Sequence, residues 1–234
     1  GNQEMARVRK GEITFYNLDG EEIEKELKTV EWDAEAAEKS GYEHFMIKEI
    51  HEQPKAVSDT LNSVIKDGMI DLSEVGLSEE EIKEISQIYI VACGSAYHVG
   101  VAAQYVMEDL ARIPVRVELA SEFRYRNPIL DPKGLVVIIS QSGETADSLA
   151  ALRESKKQGV KTLGIVNVIG SSIAREADNV YYTLAGPEIS VATTKAYSAQ
   201  LSALYLISVK IARVRGLISI GDERALCAEL QRLP

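Results

Sequence analysis

Hydroxyl side chains are concentrated in one short segment that follows an apolar run. Within six residues the sequence places three hydroxyl residues, one amide and one glycine: Ser140, Gln141, Ser142, Gly143 and Thr145. At a junction between a strand and a helix, such residues supply backbone and side-chain donors to an anion. Capping the helix would require only one of them. The segment therefore predicts an anion-binding turn, and it matches neither a nucleotide P-loop nor a dinucleotide fingerprint.

Two other turns carry small hydroxyl residues. In the first, Gly94 allows a tight turn from strand to helix and Ser95 stands where the helix begins. In the other, residues 188–195, the hydroxyl of Thr193 and the backbone around Val191 can face a ligand. Each turn taken alone is also explained by ordinary helix capping. Together with residues 140–145, they predict a site for a phosphate and several sugar hydroxyls.

Short apolar segments alternate with helical segments from residue 87 onward, which is typical of an α/β fold with a doubly wound, mostly parallel sheet. Five strands are predicted, at 88–92, 115–119, 135–140, 162–166 and 180–183. Helices are predicted at 96–111, 121–125, 146–158, 173–176 and 192–214. Ligands of such sheets bind beyond the carboxyl ends of the strands, so we expect the three turns to meet at one edge.

The preceding residues have a different pattern. Residues 12–21 predict a strand, a turn and the start of a return strand, and two helices are predicted at 42–50 and 54–65. We expect three parts: 1–45 as the tail of another domain with a linker, 46–85 as linker helices, and 86–234 as the main domain. The last residues, 223–233, predict an amphipathic helix, and we expect the chain to be a fragment of a longer protein.

Composition limits the classes of function. The formal charge of −10 argues against a nucleic-acid partner but allows a small phosphorylated ligand. No apolar run approaches the length of roughly 18 residues that a membrane span requires. The two cysteines, Cys93 and Cys227, without a secretory leader, favour a cytoplasmic location. With only three scattered histidines, the sequence predicts no metal site.

The run Ser140–Thr145 (SQSGET) and the Ala-Cys-Gly-Ser turn at 92–95 resemble the signatures of the sugar isomerase (SIS) domain family. The run His44–Pro54 (HFMIKEIHEQP), with EISVATTK at 188–195, narrows the resemblance to the glutamine:fructose-6-phosphate amidotransferases, or glucosamine-6-phosphate synthases. The resemblance implies a flavodoxin-like three-layer sandwich that forms the first lobe of the isomerase domain. It also implies that residues 1–45 hold the last hairpin of the glutaminase domain and the interdomain linker.

The resemblance further implies which residues bind the ligand. The phosphate of fructose 6-phosphate or glucosamine 6-phosphate would be held by four residues: Ser140, Gln141, Ser142 and Thr145. The sugar or its phosphate would be touched by three more: Ser95, Val191 and Thr193. One position departs from the family, since Ala96 stands where a second hydroxyl residue is usual. One hydrogen bond to the ligand is therefore not expected here.

Catalytic groups are not expected in this chain. In the family, an N-terminal cysteine hydrolyses glutamine, whereas this chain begins with Gly1. The proton-transfer base, the ring-opening histidine of a partner subunit and the Schiff-base lysine come from the second lobe and the C-terminal tail of the family. We therefore predict binding without turnover and no cofactor. Packing, charge-pairing or surface roles are expected for Cys93, His98 and Glu144. Lys195 could either pair with the phosphate or be a solvated or structural lysine.

Two other interpretations remain open. A sugar-phosphate sensor could use the same fold without chemistry, although such sensors usually carry a basic DNA-binding domain and the first 80 residues here are acidic. Another SIS isomerase or a deglycase would keep the phosphate turn and change the sugar, and only the run at 44–54 argues against it. SIS domains commonly pair, so a homodimer formed through the helices that flank the sheet is expected.

Overall fold

The computed structural model describes residues 3–25 and 38–234. They belong to two compact units that divide between residues 31 and 32. The first unit is an antiparallel sheet of three strands in chain order: β1 (Met5–Arg9), β2 (Glu12–Tyr16) and β3 (Glu22–Ile23). The hairpin predicted at 12–21 is confirmed, and its pairing with β1 was not predicted. Residues 26–37 of the predicted linker lie outside the described residues.

The second unit begins with elements that precede the main sheet. They are α1 (Phe45–His51), α2 (Gln53–Asn62), the strands β4 (Ile65–Lys66) and β5 (Met69–Ile70), and α3 (Glu79–Glu84). Pro54 lies in the first turn of α2, where its missing N–H breaks no helical hydrogen bond. Val57 and Leu61 of α2 belong to the core of the unit. Of the two predicted linker helices, α2 is therefore part of the core of this unit.

The main sheet is parallel throughout and has the order β10-β9-β8-β6-β7. Its strands are β6 (Gln87–Ala92), β7 (Val115–Leu119), β8 (Gly134–Ser140), β9 (Lys161–Val166) and β10 (Asn179–Tyr182). All seven residues of the central strand β8 are buried, as expected where helices cover both faces. The five predicted strands are confirmed to within one residue.

Helices cover the two faces of this sheet. They are α4 (Gly94–Ala111), α5 (Ala120–Phe123), α6 (Ala146–Lys157), α7 (Ser172–Glu176), α8 (Lys195–Val214) and α9 (Ile220–Gln231). Side chains alternate between the faces, so Ile88 and Ile90 join one apolar cluster with α4 and α8. Tyr89 and Val91 join the other cluster with α5, α6 and α7. The predicted three-layer sandwich is thus confirmed.

The predicted helix ends differ from the structure by up to three residues: α1 begins at 45 instead of 42, α2 ends at 62 instead of 65, and α9 begins at 220 instead of 223. The start of α8 differs by as much. The sequence predicts it from residue 192, whereas it begins at Lys195. The carboxylate of Glu188 accepts the N–H groups of Thr194 and Ala196, at 3.1 and 3.3 Å, and so fixes the start of the helix there. Residues 188–194 consequently form a loop. Among residues 3–25 and 38–234, no helix is both long and apolar enough to cross a membrane.

Tyr181 joins the sheet to α2 and gives a testable pH dependence. It is 1% exposed, and its hydroxyl donates to the carbonyl of Thr60 at 2.8 Å. Burial raises the pKa of Tyr181, so the native state holds this proton more tightly than the unfolded chain. The corresponding stability is present below about pH 10, the unfolded pKa, and is lost as the pH rises above it.

We therefore expect Tyr181→Phe to lower the free energy of unfolding by about 1 kcal/mol at neutral pH, because one buried hydrogen bond is lost. Above about pH 10 the difference from the wild type should shrink. Denaturant unfolding at neutral and alkaline pH measures both effects. A difference that stays constant with pH would show that ionisation of Tyr181 does not contribute.

Candidate functional site

The turn at 140–145 is held together by its own hydroxyl groups. Ser140 ends β8 and is 3% exposed. Its Oγ lies 2.9 Å from Oγ1 of Thr145 and accepts the N–H of Gly143 at 3.1 Å. Oγ of Ser142 accepts the N–H of Glu144 at 3.2 Å. The turn is therefore folded before any ligand is bound.

The N-terminus of α6 follows this turn without a side-chain cap. Thr145 occupies the N-cap position, but its hydroxyl is bonded to Ser140 and makes no capping hydrogen bond. The first N–H groups of a helix lack partners within the helix and carry its positive dipole end. The acidic Asp147 in this first turn is paired with Arg124 at 2.6 Å, which offsets its negative charge. The arrangement therefore favours an anion at the start of α6.

Gly143 allows the turn to pack against α7. Its φ is +66°, and a Cβ atom built on it would lie 2.0 Å from Oγ of Ser171. The Gly143 carbonyl accepts the N–H of Ile173 at 3.0 Å, and Oε1 of Glu144 accepts the N–H of Ser172 at 2.7 Å. The hydrogen bond from Ser172 lowers the pKa of Glu144. Glu144 thus precedes α6 in the sequence, but its carboxylate binds an N–H group at the start of α7.

The side-chain amide of Gln141 makes no hydrogen bond within the described part of the chain. Its Oε1 and Nε2 are both buried and have no hydrogen-bond partner among the described residues. Its backbone carbonyl accepts the N–H of Asn167, at 3.2 Å, from the turn after β9. An unpaired buried amide costs free energy, which a ligand with suitable groups would recover.

The turn after β9, which includes the buried and unpaired Oγ of Ser171, was not predicted. Two consecutive serines after a predicted strand, Ser171 and Ser172, are the sequence pattern that could have indicated this turn.

Ser95 lies in the turn between β6, the strand next to β8, and α4. Gly94 opens α4 with a φ of +57°, and Ser95 in the first helical turn is exposed. Since β6 pairs directly with β8, this turn and residues 140–145 share one edge of the sheet. Ala96 is 8% exposed and packs in the apolar core, so its methyl group faces inward.

The third predicted turn is stabilised differently. Oγ1 of Thr193 donates to Oε2 of Glu188 at 2.8 Å, and the side chain of Val191 is fully exposed. Lys195 is 3% exposed and its Nζ pairs with the Glu52 carboxylate at 2.7 Å, so it is not solvated and its charge is already paired within the chain. In the described part of the chain, no hydrogen bond joins residues 188–194 to the other two turns. The structure therefore places the turns at 92–95 and 140–145 at one edge of the sheet. That residues 188–194 contact the same ligand stays a prediction.

A second cleft was considered as a ligand site. A cleft of about 360 Å³ lies at the opposite end of the strands, between α3 and the start of β8. Both of its lysines are already paired, Lys133 with Glu84 at 2.7 Å and Lys161 with Glu81. Within residues 3–25 and 38–234, no group of three His, Cys, Asp or Glu residues could hold a metal ion.

Comparison with known proteins defines the class of this chain. Residues 81–210, more than half of the chain, match the model of the SIS domain family. The chain therefore belongs to the SIS domain family, as its turns indicated.

Its relatives are more specific. The chain is 53% identical, over its whole length, to the glutamine–fructose-6-phosphate aminotransferase (isomerizing) of Caldanaerobacter subterraneus. It is 46% identical, over 99% of its length, to the aminotransferase of the same name from Methanosarcina mazei. The chain spans 38% of the length of each relative.

A solved structure agrees with these relatives. The chain superposes on the C-terminal domain of glucosamine-fructose-6-phosphate aminotransferase from Francisella tularensis with a TM-score of 0.80. The two are 44% identical, and the match covers 83% of this chain and 55% of that one. The predicted resemblance to the amidotransferases is thereby confirmed.

Proposed function

We propose that this chain is the sugar-phosphate-binding lobe of a glutamine–fructose-6-phosphate aminotransferase. The supporting observation is the uncapped N-terminus of α6 beside a preformed turn of hydroxyl groups. The whole enzyme would convert fructose 6-phosphate and glutamine into glucosamine 6-phosphate and glutamate. The three-part division at residues 45/46 and 85/86 belongs to this proposal, as do the homodimer and the cytoplasmic location.

The residues have separate tasks in this proposal. The N–H groups at the start of α6 receive the phosphate, together with the hydroxyls of Ser142 and Thr145. Either hydroxyl of the Ser140–Thr145 pair can be the donor, and with Ser140 as donor the Thr145 hydrogen is free for a phosphate oxygen. The amide of Gln141 pairs with the ligand. Ser95 binds from the neighbouring turn.

The loop at 188–194 contributes the sugar contacts. Thr193 donates its hydrogen to Glu188 and can still accept one from a sugar hydroxyl. The backbone of Val191 binds a second hydroxyl. This chain would bind the ligand, whereas proton transfer, ring opening and Schiff-base formation would be performed elsewhere in the enzyme.

We predict that fructose 6-phosphate and glucosamine 6-phosphate stabilise the chain against thermal unfolding and that unphosphorylated fructose does not. At a ligand concentration about 100 times Kd, the stabilisation should be about 2.7 kcal/mol. In the double variant Ser142→Ala/Thr145→Ala the affinity should fall by at least about tenfold, since two hydrogen bonds to a charged group are lost. Calorimetric titration measures the affinities.

Ser58→Ala is the matched control, because the Ser58 hydroxyl also takes part in one local hydrogen bond, which it accepts from the side-chain amide of Asn62 on α2. This variant should bind like the wild type. Equal stabilisation by fructose and fructose 6-phosphate would contradict a phosphate site. Unchanged affinity in the double variant would place the phosphate away from residues 140–145.

The same titration separates the alternative functions. Another SIS isomerase or a deglycase would prefer a different phosphosugar over both hexosamine-pathway ligands. A sensor is disfavoured by the 53% identity between this chain and the aminotransferase of Caldanaerobacter, of which the chain spans 38% of the length.

A further inference from the structure

The corner between α1 and α2, residues 48–53, contacts the loop at 188–194 and the start of α8. Its sequence belongs to the run at 44–54 that helped to identify the family, and the proposed function leaves its role unexplained. Three of its polar side chains contact the same part of the chain: Glu49, Glu52 and Gln53. The corner between α1 and α2 is therefore joined by hydrogen bonds to the loop and to the start of α8.

Glu49 binds the loop backbone directly. Its Oε1 accepts the N–H of Ile189 at 2.6 Å and the N–H of Ser190 at 3.0 Å. The residue is 2% exposed. These two N–H groups stand immediately before Val191, whose backbone is proposed to face the sugar. One buried carboxylate thus sets the path of the backbone into the sugar-binding part of the loop.

The end of the loop is fixed by the same corner. Oε2 of Glu52 accepts a hydrogen bond from Nζ of Lys195 at 2.7 Å, and Lys195 is the first residue of α8. Oε1 of Gln53 accepts from Oγ of Ser198, one turn further along, at 2.7 Å. The hydrogen bonds from the corner therefore hold the loop before Val191 and after Thr193.

Packing alone does not account for Glu49. Burial of a carboxylate is costly, and its Oε2 is buried without a partner among the described residues. Apolar contacts already join α2 to α8, since Val57, Leu61 and Leu204 share the core cluster. A buried carboxylate at such a position fits a role in fixing the geometry of a binding loop.

We propose that Glu49 is a positioning residue, which holds the loop at 188–194 in the conformation that binds the sugar. The inference rests on the proposed function and extends it to a residue outside the three turns. The phosphate is bound at residues 140–145, which make no hydrogen bond with Glu49 in the described part of the chain. Loss of Glu49 should therefore weaken recognition of the sugar and spare recognition of the phosphate.

The test compares fructose 6-phosphate with inorganic phosphate by calorimetric titration of the chain. In Glu49→Ala, the loop should occupy its binding conformation about a tenth of the time, which raises Kd for fructose 6-phosphate about tenfold. Kd for inorganic phosphate should stay within about twofold of the wild type, because the α6 N-terminus is unchanged. Glu49→Gln keeps an acceptor at Oε1 and should restore most of the affinity for the sugar phosphate.

Two other variants keep the result interpretable. Glu49→Asp keeps the charge but withdraws the carboxylate by one methylene, so it should weaken fructose 6-phosphate binding like alanine even if Glu49→Ala fails to fold. Glu43→Ala removes a glutamate whose side chain is 88% exposed and should change nothing. In NMR spectra, the amide protons of Ile189 and Ser190 should move upfield in the alanine and aspartate variants and remain in place in Glu49→Gln.

The failures of the two proposals are distinguishable. If the wild-type chain binds no sugar phosphate, the proposed function fails and this inference fails with it. If the wild type binds and Glu49→Asp binds equally well, only the inference is overturned. Equal losses for fructose 6-phosphate and inorganic phosphate, or a Glu49→Gln variant as weak as alanine, would also overturn it.

Discussion

Gly143→Ala is expected to destabilise the chain by about 3 kcal/mol and to abolish binding of sugar phosphates. Two effects add. Gly143 has a φ of +66°, which an alanine adopts only with strain. Its new Cβ would also lie 2.0 Å from Oγ and 2.5 Å from Cβ of Ser171, so the turn or α7 must move. Because the turn presents the N-terminus of α6, its displacement should remove the phosphate site.

Gly159→Ala separates these two effects. Gly159 has a φ of +74°, but no atom lies within 4 Å of its built Cβ. This control should cost only about 1–2 kcal/mol, the conformational part, and leave ligand affinity unchanged. Denaturant unfolding and calorimetric titration of both variants measure the difference. Adding Ser171→Gly to Gly143→Ala should recover the part that is due to the clash.

The opposite result would be informative. If Gly143→Ala unfolds like Gly159→Ala and binds fructose 6-phosphate like the wild type, the turn adapts without loss. The tight packing of Gly143 against Ser171 would then play no part in phosphate binding.

The parallel sheet was predictable because its signal is local. The run of β8 is apolar in every position from Leu135 to Ile139, as a strand covered on both faces requires. The turn at 140–145 was equally visible, since its hydroxyl groups bond within the turn itself, for example Ser140 with Thr145. Local patterns therefore predicted both the sheet and the turn at 140–145.

The small hairpin of β4 and β5 was missed although its turn has a recognisable sequence. Asp67 and Gly68 connect the two strands with φ values of +54° and +74°. Asp-Gly is favoured where both central residues of a turn have positive φ. Each strand has only two residues, which is too short for an alternating pattern to be recognised.

Contacts between distant residues could not be predicted. Glu49 and Ile189 are separated by 140 positions, and nothing in either local sequence indicates the hydrogen bond between them. The predicted start of α8 at residue 192 was wrong because the carboxylate of Glu188, in the loop, accepts the N–H groups of Thr194 and Ala196 and so fixes the start of the helix at Lys195. The third turn was thus recognised by its residue types, while its anchoring depends on the fold.

Glu223 anchors α9 to the rest of the domain, and its loss has the second large expected effect. The residue is 0% exposed, and its Oε1 accepts the N–H of Ile70 on β5 at 3.0 Å. Its Oε2 lies 3.6 Å from Nε of Arg213 on α8. Glu223→Ala would leave the Ile70 N–H and the Arg213 guanidinium without this partner. We expect the free energy of unfolding to fall by about 3 kcal/mol.

Two variants of the same helix define this effect. Glu223→Gln keeps an acceptor for Ile70 and should lose only about 1–2 kcal/mol. Glu229→Ala removes an exposed partner of Arg232, at 2.9 Å, and should change stability by no more than about 0.5 kcal/mol. Denaturant unfolding ranks the three variants. If Glu223→Ala costs no more than Glu229→Ala, α9 is held by apolar contacts such as those of Cys227 and Leu230, and the buried ion pair contributes nothing to its attachment.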